Sequence, residues 1–447
     1  MDRVVSVSTY GCKVNSYDSG LIQNRLADGG FSIADAGASP RVHVLNTCAV
    51  TAEATQQAVR QARRIKREDP DSKVVITGCS AQVDTEKFEG QEAVDLIVAN
   101  SHKGELGRRI DEMLSGTLIA KVFKSNIFKK DDLEAGGGEE LHHTRSFLKI
   151  QDGCNSFCTY CVIPFARGKS RSLDPGDLIN RVNELHAKGI NEVVLTGVHI
   201  GDYDSGTGSG LSDLVGQVLE RTAISRIRLS SLEPIELDGK LMALFENPRL
   251  CRHFHMSVQS GSTATLERMK RKYTSAQVIE ALHRIAKDVP GAYVGMDVIA
   301  GFSGESEEEF AETLETLRST PWTRMHVFPY SQRPLTFAAK KFPEPAGGAD
   351  LTSRQTLIKE RAKILRQLSA ERHAEHALAQ VGETKRVLLL GHRKQPVIGL
   401  SRDYWSVAIE GLPEAVPGQE ILVKIRGCDR EESRTGELLL YGDLVPG

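Results

Sequence analysis

Six of the eight cysteines in this chain of 447 residues fall into two sets of three. Cys154, Cys158 and Cys161 stand within eight residues with the spacing C-x3-C-x2-C, whereas Cys12, Cys48 and Cys79 spread over sixty-eight. Three thiolates at close spacing can hold an iron–sulfur cluster by three of its irons and leave the fourth iron open to a chelating ligand. The competing reading of the tight triad is a zinc site with one remote ligand, although tetrahedral structural zinc normally shows paired C-x2-C units. The dispersed triad is weaker on spacing alone, because a cysteine at a strand end is often a plain small core residue. A second cluster follows only if the three converge in space. Cys251 and Cys428 match neither set and read as buried small hydrophobes.

The surrounding pattern supplies that convergence. The first hundred residues repeat a short β-branched run, a cysteine and an amphipathic helical stretch, with runs at 4–8, 42–45 and 74–77 that lead to Cys12, Cys48 and Cys79. Successive βαβ units give parallel strands whose carboxyl ends share one edge, where ligands of open α/β folds sit. A charged, glycine-rich stretch over 129–140 reads as a linker. Beyond it, strands at 147–150, 192–195, 226–229, 253–258, 293–299 and 325–328 alternate with helices, one opening on a capping box from Ser306 to Glu309. Six strands with crossover helices predict an open or partial barrel. After a helix expected over 351–379, short runs at 387–390, 397–400, 405–409, 421–425 and 438–441 predict a small antiparallel β-barrel of OB-like type. The chain thus reads as an α/β multidomain protein: an open parallel α/β domain over 1–125, a linker over 126–141, a second α/β domain over 142–380 and the barrel over 381–447.

The 57 basic and 59 acidic residues nearly cancel, so a polyanionic partner must be met by local patches. The N-terminus lacks a basic region followed by an apolar one, and no stretch approaches the ~18 apolar residues that span a bilayer. A cytoplasmic protein without a membrane role is the expectation. In that reducing compartment clustered cysteines are more often metal ligands or redox groups than disulfides.

With Tyr160 just before its last cysteine and a strand before its first, the tight triad resembles that of the radical S-adenosylmethionine (SAM) superfamily. Joined to it, Gly11-Cys12-Lys13-Val14-Asn15, Asn46-Thr47-Cys48-Ala49-Val50 and Thr77-Gly78-Cys79-Ser80-Ala81-Gln82 resemble the methylthiotransferase family. Segments 163–172, 229–234, 257–262 and 329–334 extend the likeness over almost the whole chain. Lys13-Val14 and the segment 195–201 are most similar to the branch that modifies N6-threonylcarbamoyladenosine beside the tRNA anticodon, at position 37. Two departures concern loop backbone: Leu335 stands where glycine is common, and Ser303 where proline is usual.

The resemblance implies an N-terminal three-cysteine domain, a radical SAM partial (β/α)6 barrel and a C-terminal TRAM domain that contacts RNA. It implies two 4Fe–4S clusters, on Cys12, Cys48 and Cys79 and on Cys154, Cys158 and Cys161, with two SAM molecules per turnover. One SAM methylates sulfur held at the first cluster; the other yields the radical that takes hydrogen from adenine C2. Partners are then tRNA, an electron donor such as flavodoxin or ferredoxin and a sulfur source, and a monomer is expected. Gly197, Ser230, Glu233, Gln259 and Asp297, at or near strand carboxyl ends, are assigned to SAM or base contacts, with turn or cap roles as the alternative. Arg167, Arg171 and Arg333 are candidates to hold the threonylcarbamoyl carboxylate in paired hydrogen bonds; an internal ion pair or backbone clamp is the alternative for each. The basic run 268–273 could touch phosphates or be a solvated helix face. Tyr404 and Trp405 could stack on a base, though core packing suits Trp405. Other targets of the same chemistry are isopentenyladenosine in tRNA and an aspartate of a ribosomal protein. A reading of a different class is a non-catalytic iron–sulfur RNA-binding sensor.

Overall fold

The computed structural model describes residues 3–34, 39–130, 133, 137, 144–206, 208–343, 348–390, 396–412, 416–429 and 438–445. Among them no helix is long and apolar enough to cross a membrane. The expected linker falls largely outside the described residues; its first part holds a short helical turn, Ile127–Lys129, with Ile127 buried.

The N-terminal sheet contains β1 (Val4–Thr9), β2 (Ser32–Ile33), β3 (Val42–Thr47), β4 (Lys73–Gly78), β5 (Leu96–Ala99) and β6 (Val122–Phe123). They pair in the order β2-β1-β3-β4-β5-β6, every pair parallel. β3, β4 and β5 are nearly continuous buried apolar runs, as strands covered by helices on both faces must be. Val44, Val75 and Val98 pack with Ile22, Leu26 and Ile110 on one face, and Leu45, Ile76 and Ile97 with Ala58, Ala62 and Ile65 on the other. The helix Ala52–Glu68 starts at Thr51, whose hydroxyl accepts from Ala54 N at 3.2 Å, and ends in Lys66 and Arg67 at the negative end of its dipole.

The second domain contains β7 (Arg145–Asp152), β8 (Arg171–Ser172), β9 (Glu192–Gly197), β10 (Arg226–Leu229), β11 (Ser231–Leu232), β12 (His253–Gln259), β13 (Tyr293–Ala300) and β14 (Arg324–Pro329). They form two sheets, β10-β9-β7-β8 and β11-β12-β13-β14. β10 and β11 are parts of one chain run broken at Ser230, so six parallel strands follow one another as a partial barrel, with β8 antiparallel on β7. The Ser306 box is present: its hydroxyl accepts from Glu309 N at 3.2 Å while the Glu309 carboxylate accepts from Ser306 N at 2.9 Å. The helix Gly348–Leu378 buries Ile358, Ala362 and Leu365, and is tied to the loop before Ser306 by Arg361, 2.8 Å from Glu305.

The last domain closes β15 (Thr384–Leu389), β16 (Val397–Ser401), β17 (Ser406–Ile409), β18 (Glu420–Cys428) and β19 (Leu439–Leu444) into a barrel ordered β15-β16-β17-β19-β18. The expected antiparallel barrel needs one correction: β17 and β19 run parallel. An odd number of strands cannot alternate direction all the way round a ring, so one pair must be parallel; the other four are antiparallel. Buried Arg226 and Arg228 of β10 bind this barrel to the second domain. Arg226 reaches Glu420 at 2.7 Å and the carbonyls of Leu400 and Ser401, and both arginines hold Glu192.

Candidate functional site

The C-x3-C-x2-C loop leaves β7 through Gly153, at φ +75, where an added Cβ would come within 1.9 Å of the Lys169 carbonyl oxygen. Only glycine lets the returning chain pass there, and Cys154 N then donates to Gly168 O at 3.1 Å. Cys161 N donates to Cys158 O at 2.9 Å, closing a turn that aims the three thiols at one cavity of about 220 Å³. Tyr160, His199, Ser231, Glu233, Gln259 and Arg271 share its lining.

Of the polar residues expected here, Glu233 and Gln259 line the cavity directly. Gly197 lies against Gln151, where a Cβ would be 2.9 Å from its carbonyl oxygen, and the cavity is lined by the next two residues, Val198 and His199. Ser230 is buried at the β10–β11 break, its hydroxyl without a partner among the described residues. Asp297 is not part of this lining; it accepts from His255 Nε2 at 3.0 Å if that nitrogen carries the proton, while His255 Nδ1 meets the Ser231 hydroxyl at 2.7 Å.

Two residues that no spacing argument singled out organise this cavity. Arg271 donates to Cys158 Sγ at 3.2 Å and reaches Glu233 at 2.8 Å. His199 meets Glu236 and Asp202, and its ring stands within 4.8 Å of the Cys154 thiol. Burial opposes charge on His199, but Asp202, Cys154 and Glu236 raise its pKa to about 12. Burial pushes the Cys161 thiol up to about 12; at Cys154 the same penalty is outweighed by hydrogen bonds from His199 and Ser156, leaving the thiol below its ordinary value.

The dispersed cysteines meet as the strand rhythm predicts. Cys12 precedes the helix Lys13–Asp28, Cys48 directly follows β3 and Cys79 directly follows β4, on the carboxyl edge of three neighbouring parallel strands. Close approach is enforced by two glycines. A Cβ on Gly11, at φ +100, would lie 2.8 Å from Cys48 Sγ; one on Gly78, at φ +93, would lie 2.4 Å from Thr47 O. Burial and then the neighbouring Cys79 push the Cys48 thiol up to about 12. Cys12 is exposed, whereas Cys48 and Cys79 are buried.

The two triads face one boundary. Val162, next to Cys161, packs in one buried cluster with Ala49, Cys79, Val83 and Ala166. Val50, two residues past Cys48, lines the cavity of the tight triad. Beside this seam lies a buried charge network. Lys149 donates to Asp18 at 2.6 Å and Asp152 at 3.1 Å, and Lys103 to Asp18 at 2.9 Å. Arg167 donates to Asp152, to Asn15 at 2.6 Å and to Asp18 at 3.0 Å. Arg167 and Arg171 therefore hold the internal arrangements kept as alternatives for them, Arg171 on the carbonyls of Lys130 and Arg167. Arg333 pairs with Asp84 and is buried with Nε and Nη1 unpartnered among the described residues. In the basic run Arg268 pairs with Glu309, Met269 is buried and Arg271 turns inward. Trp405 sits in the barrel core and Tyr404 stacks on His253 with ring centroids 3.9 Å apart.

A three-cysteine loop at the carboxyl edge of a partial (β/α) barrel defines a radical SAM enzyme by class, and residues 148–317 match the model of the Radical SAM superfamily. Residues 4–99 match that of the uncharacterized protein family UPF0004. The chain is 36% identical over 418 residues to threonylcarbamoyladenosine tRNA methylthiotransferase MtaB of Aquifex aeolicus (strain VF5), covering 92% of this chain and 97% of that protein. It is 32% identical to the MtaB of Bacillus subtilis (strain 168), over 94% of this chain and 93% of that one. It is also 32% identical to tRNA-2-methylthio-N(6)-dimethylallyladenosine synthase of Syntrophobacter fumaroxidans (strain DSM 10017 / MPOB), covering 88% and 86%. The radical SAM methyltransferase TsrM from Kitasatospora setae, solved with tryptophan and a SAM analogue, shares the fold with a TM-score of 0.52 at 15% identity, covering 74% of each chain. The chain belongs to the radical SAM methylthiotransferase family. It is an enzyme whose cofactors are SAM and two 4Fe–4S clusters.

Proposed function

We propose that this enzyme methylthiolates C2 of N6-threonylcarbamoyladenosine at tRNA position 37, using two SAM molecules per turnover. Cys154, Cys158 and Cys161 would hold the cluster that binds SAM, and Cys12, Cys48 and Cys79 the second. The observation that carries this reading is that the two thiol triads flank one buried seam, in which Ala49 and Cys79 share a cluster with Val162, the neighbour of Cys161. The donor sets fit such groups, since each is three soft thiol ligands with cationic partners close by: Arg271 at Cys158, and Arg167, whose charge bears on Cys12 and Cys79.

When bound, SAM on its cluster supplies a hydrogen-abstracting radical, which an aromatic C–H of no useful acidity requires. The chain's own residues position and enclose. Arg271 ties Cys158 to Glu233, and Glu233 with Gln259 offers polar contacts in the cavity. Gly197, Ser230 and Asp297 complete the proposed polar set, Asp297 through its bond to His255. The apolar seam packs Ala49, Cys79, Val83, Val162 and Ala166 together out of solvent. Of the three arginines offered for the threonylcarbamoyl carboxylate, Arg333 keeps two buried N–H groups unspent, which favours it. An electron donor such as flavodoxin or ferredoxin and a sulfur source complete the reaction.

Mass spectrometry of tRNA nucleosides from a strain lacking this gene tests the assignment. Loss of 2-methylthio-N6-threonylcarbamoyladenosine, restored by the wild-type gene but not by Cys154→Ala or Cys48→Ala, is expected. Loss of the 2-methylthio-dimethylallyladenosine nucleoside instead would move the enzyme to the branch of its 32% identical relative.

A further inference from the structure

A second cavity, of about 560 Å³, also borders the tight triad, and Cys158 and Cys161 line both it and the proposed SAM cavity. Its other walls are apolar and basic. Phe157, Leu335 and Phe337 are 38%, 47% and 57% exposed, joined by Phe165. Lys270, Lys340 and Lys341 supply charge without an ion pair among the described residues; Glu267 opposes them and Arg268 is spent on Glu309. An exposed apolar patch rimmed by charge marks an interaction surface.

The backbone makes the same point independently. Among the described residues five non-glycine residues have positive φ, and three of them stand on this groove: Phe157 at 47°, Lys270 at 62° and Leu335 at 74°. Each such conformation is strained for a residue with a Cβ, a strain that glycine would avoid. The groove is also fastened to the cysteine loop. Thr159, between Cys158 and Cys161, donates from N to Met269 O at 3.0 Å and from its hydroxyl to Arg268 O at 2.9 Å, and accepts from Ala338 N at 2.7 Å.

We propose that this groove is the docking site of an acidic, low-potential electron-carrier protein that reduces the cluster held by Cys154, Cys158 and Cys161. The inference rests on the radical SAM activity and not on the identity of the modified nucleoside. One electron leaves the carrier, which is oxidised. It passes through the cluster to the sulfonium of SAM, whose C5′–S bond breaks to leave methionine and a carbon-centred radical, with no proton moved. The groove favours a protein over RNA because its floor holds the cluster's cysteines and its walls are more apolar than a phosphate track. Electron-transfer contacts are small, and charge complementarity sets their on-rate.

The test compares 5′-deoxyadenosine formation by the reconstituted holoenzyme driven by dithionite or by reduced flavodoxin. For Lys340→Glu/Lys341→Glu, and for Leu335→Gly, the flavodoxin-driven rate is expected to fall about tenfold while the dithionite-driven rate stays within about twofold. The wild-type flavodoxin rate is expected to fall as salt is raised. An unchanged flavodoxin rate in the variants, or a wild type that responds to dithionite alone, overturns the proposal. So does a tenfold loss of tRNA affinity with flavodoxin-driven turnover intact, which would make the groove an RNA surface. Failure of the wild type with dithionite would instead indict the radical SAM reading.

Discussion

Arg271 shows how one side chain can serve two neighbours. It donates to Cys158 Sγ and pairs with buried Glu233, so Arg271→Gln removes a donor from a proposed ligand and leaves a carboxylate without its cation. Hydrogen bonds to cluster sulfurs raise the reduction potential. The variant is therefore expected to show a lower potential for that cluster, read by redox titration with EPR in a Cys12/Cys48/Cys79→Ala background; an unchanged potential would leave Arg271 a purely structural residue. Arg333→Lys is expected to weaken use of the threonylcarbamoyl substrate, raising KM for that tRNA at least about tenfold, because an ammonium cannot make the paired contact. Equal KM for wild type and variant would remove Arg333 from the substrate site. The tight triad was legible from its spacing, three cysteines within eight residues without the paired C-x2-C units of structural zinc. Arg271 was not, because it sits in a basic run that reads as a solvated face. Lys270 at φ 62° ends the preceding helix and turns the next residue inward, and no side-chain pattern announces that.

At the scale of elements, the strand ends decide what the dispersed cysteines can do. Gly78 ends β4 directly before Cys79, at φ +93, with backbone atoms of Thr47 where a Cβ would stand. Gly78→Ala must therefore push β4 away from β3, whereas Gly30→Ala, at φ +77 with nothing within 4 Å, carries only the conformational cost. Anaerobic iron and sulfide counts should find about eight irons in the wild type and in Gly30→Ala, and about four in Gly78→Ala, with dithionite-driven SAM cleavage retained. About eight irons in Gly78→Ala would mean that the second cluster does not depend on this edge. Strands β1, β3 and β4 were legible as β-branched runs ending near cysteines, and all six parallel strands of the second domain lay within a few residues of the runs that predict them. β5 was not, because four buried apolar residues have no period to distinguish strand from helix. β2, β6 and β8 are two-residue pairings that exist only because a neighbouring strand passes.

The whole molecule is held together by buried charge rather than by apolar seams alone. Asp18, Lys103, Lys149, Asp152 and Arg167 join the first domain to the second, and Glu192, Arg226, Arg228 and Glu420 join the second to the barrel. Burial alone would raise the Glu192 carboxyl, but Arg228 and Arg226 hold it well below the usual range; Lys103, Lys149 and Arg167 do the same for Asp18. A carboxyl whose folded pKa is depressed contributes stability that is fully present above its unfolded pKa, about 4, and is lost as pH falls toward the folded value. The thermal midpoint should therefore stay level from about pH 7 to about pH 5 and fall steeply below about pH 4. Glu192→Gln leaves two fully buried guanidinium groups undercompensated, so it should cost about 3–5 kcal/mol at neutral pH, as breaking a buried pair does. Because glutamine does not titrate, the variant should also lose part of the acid-side slope. The two effects separate the explanations: a lowered midpoint with the wild-type slope retained would show that packing, not the charge on Glu192, fastens the barrel. Melting curves of wild type and variant across pH 3 to 7, followed in the barrel by Trp405 fluorescence, distinguish these outcomes, since Trp405 is buried in that core and the other tryptophan, Trp322, lies in the second domain.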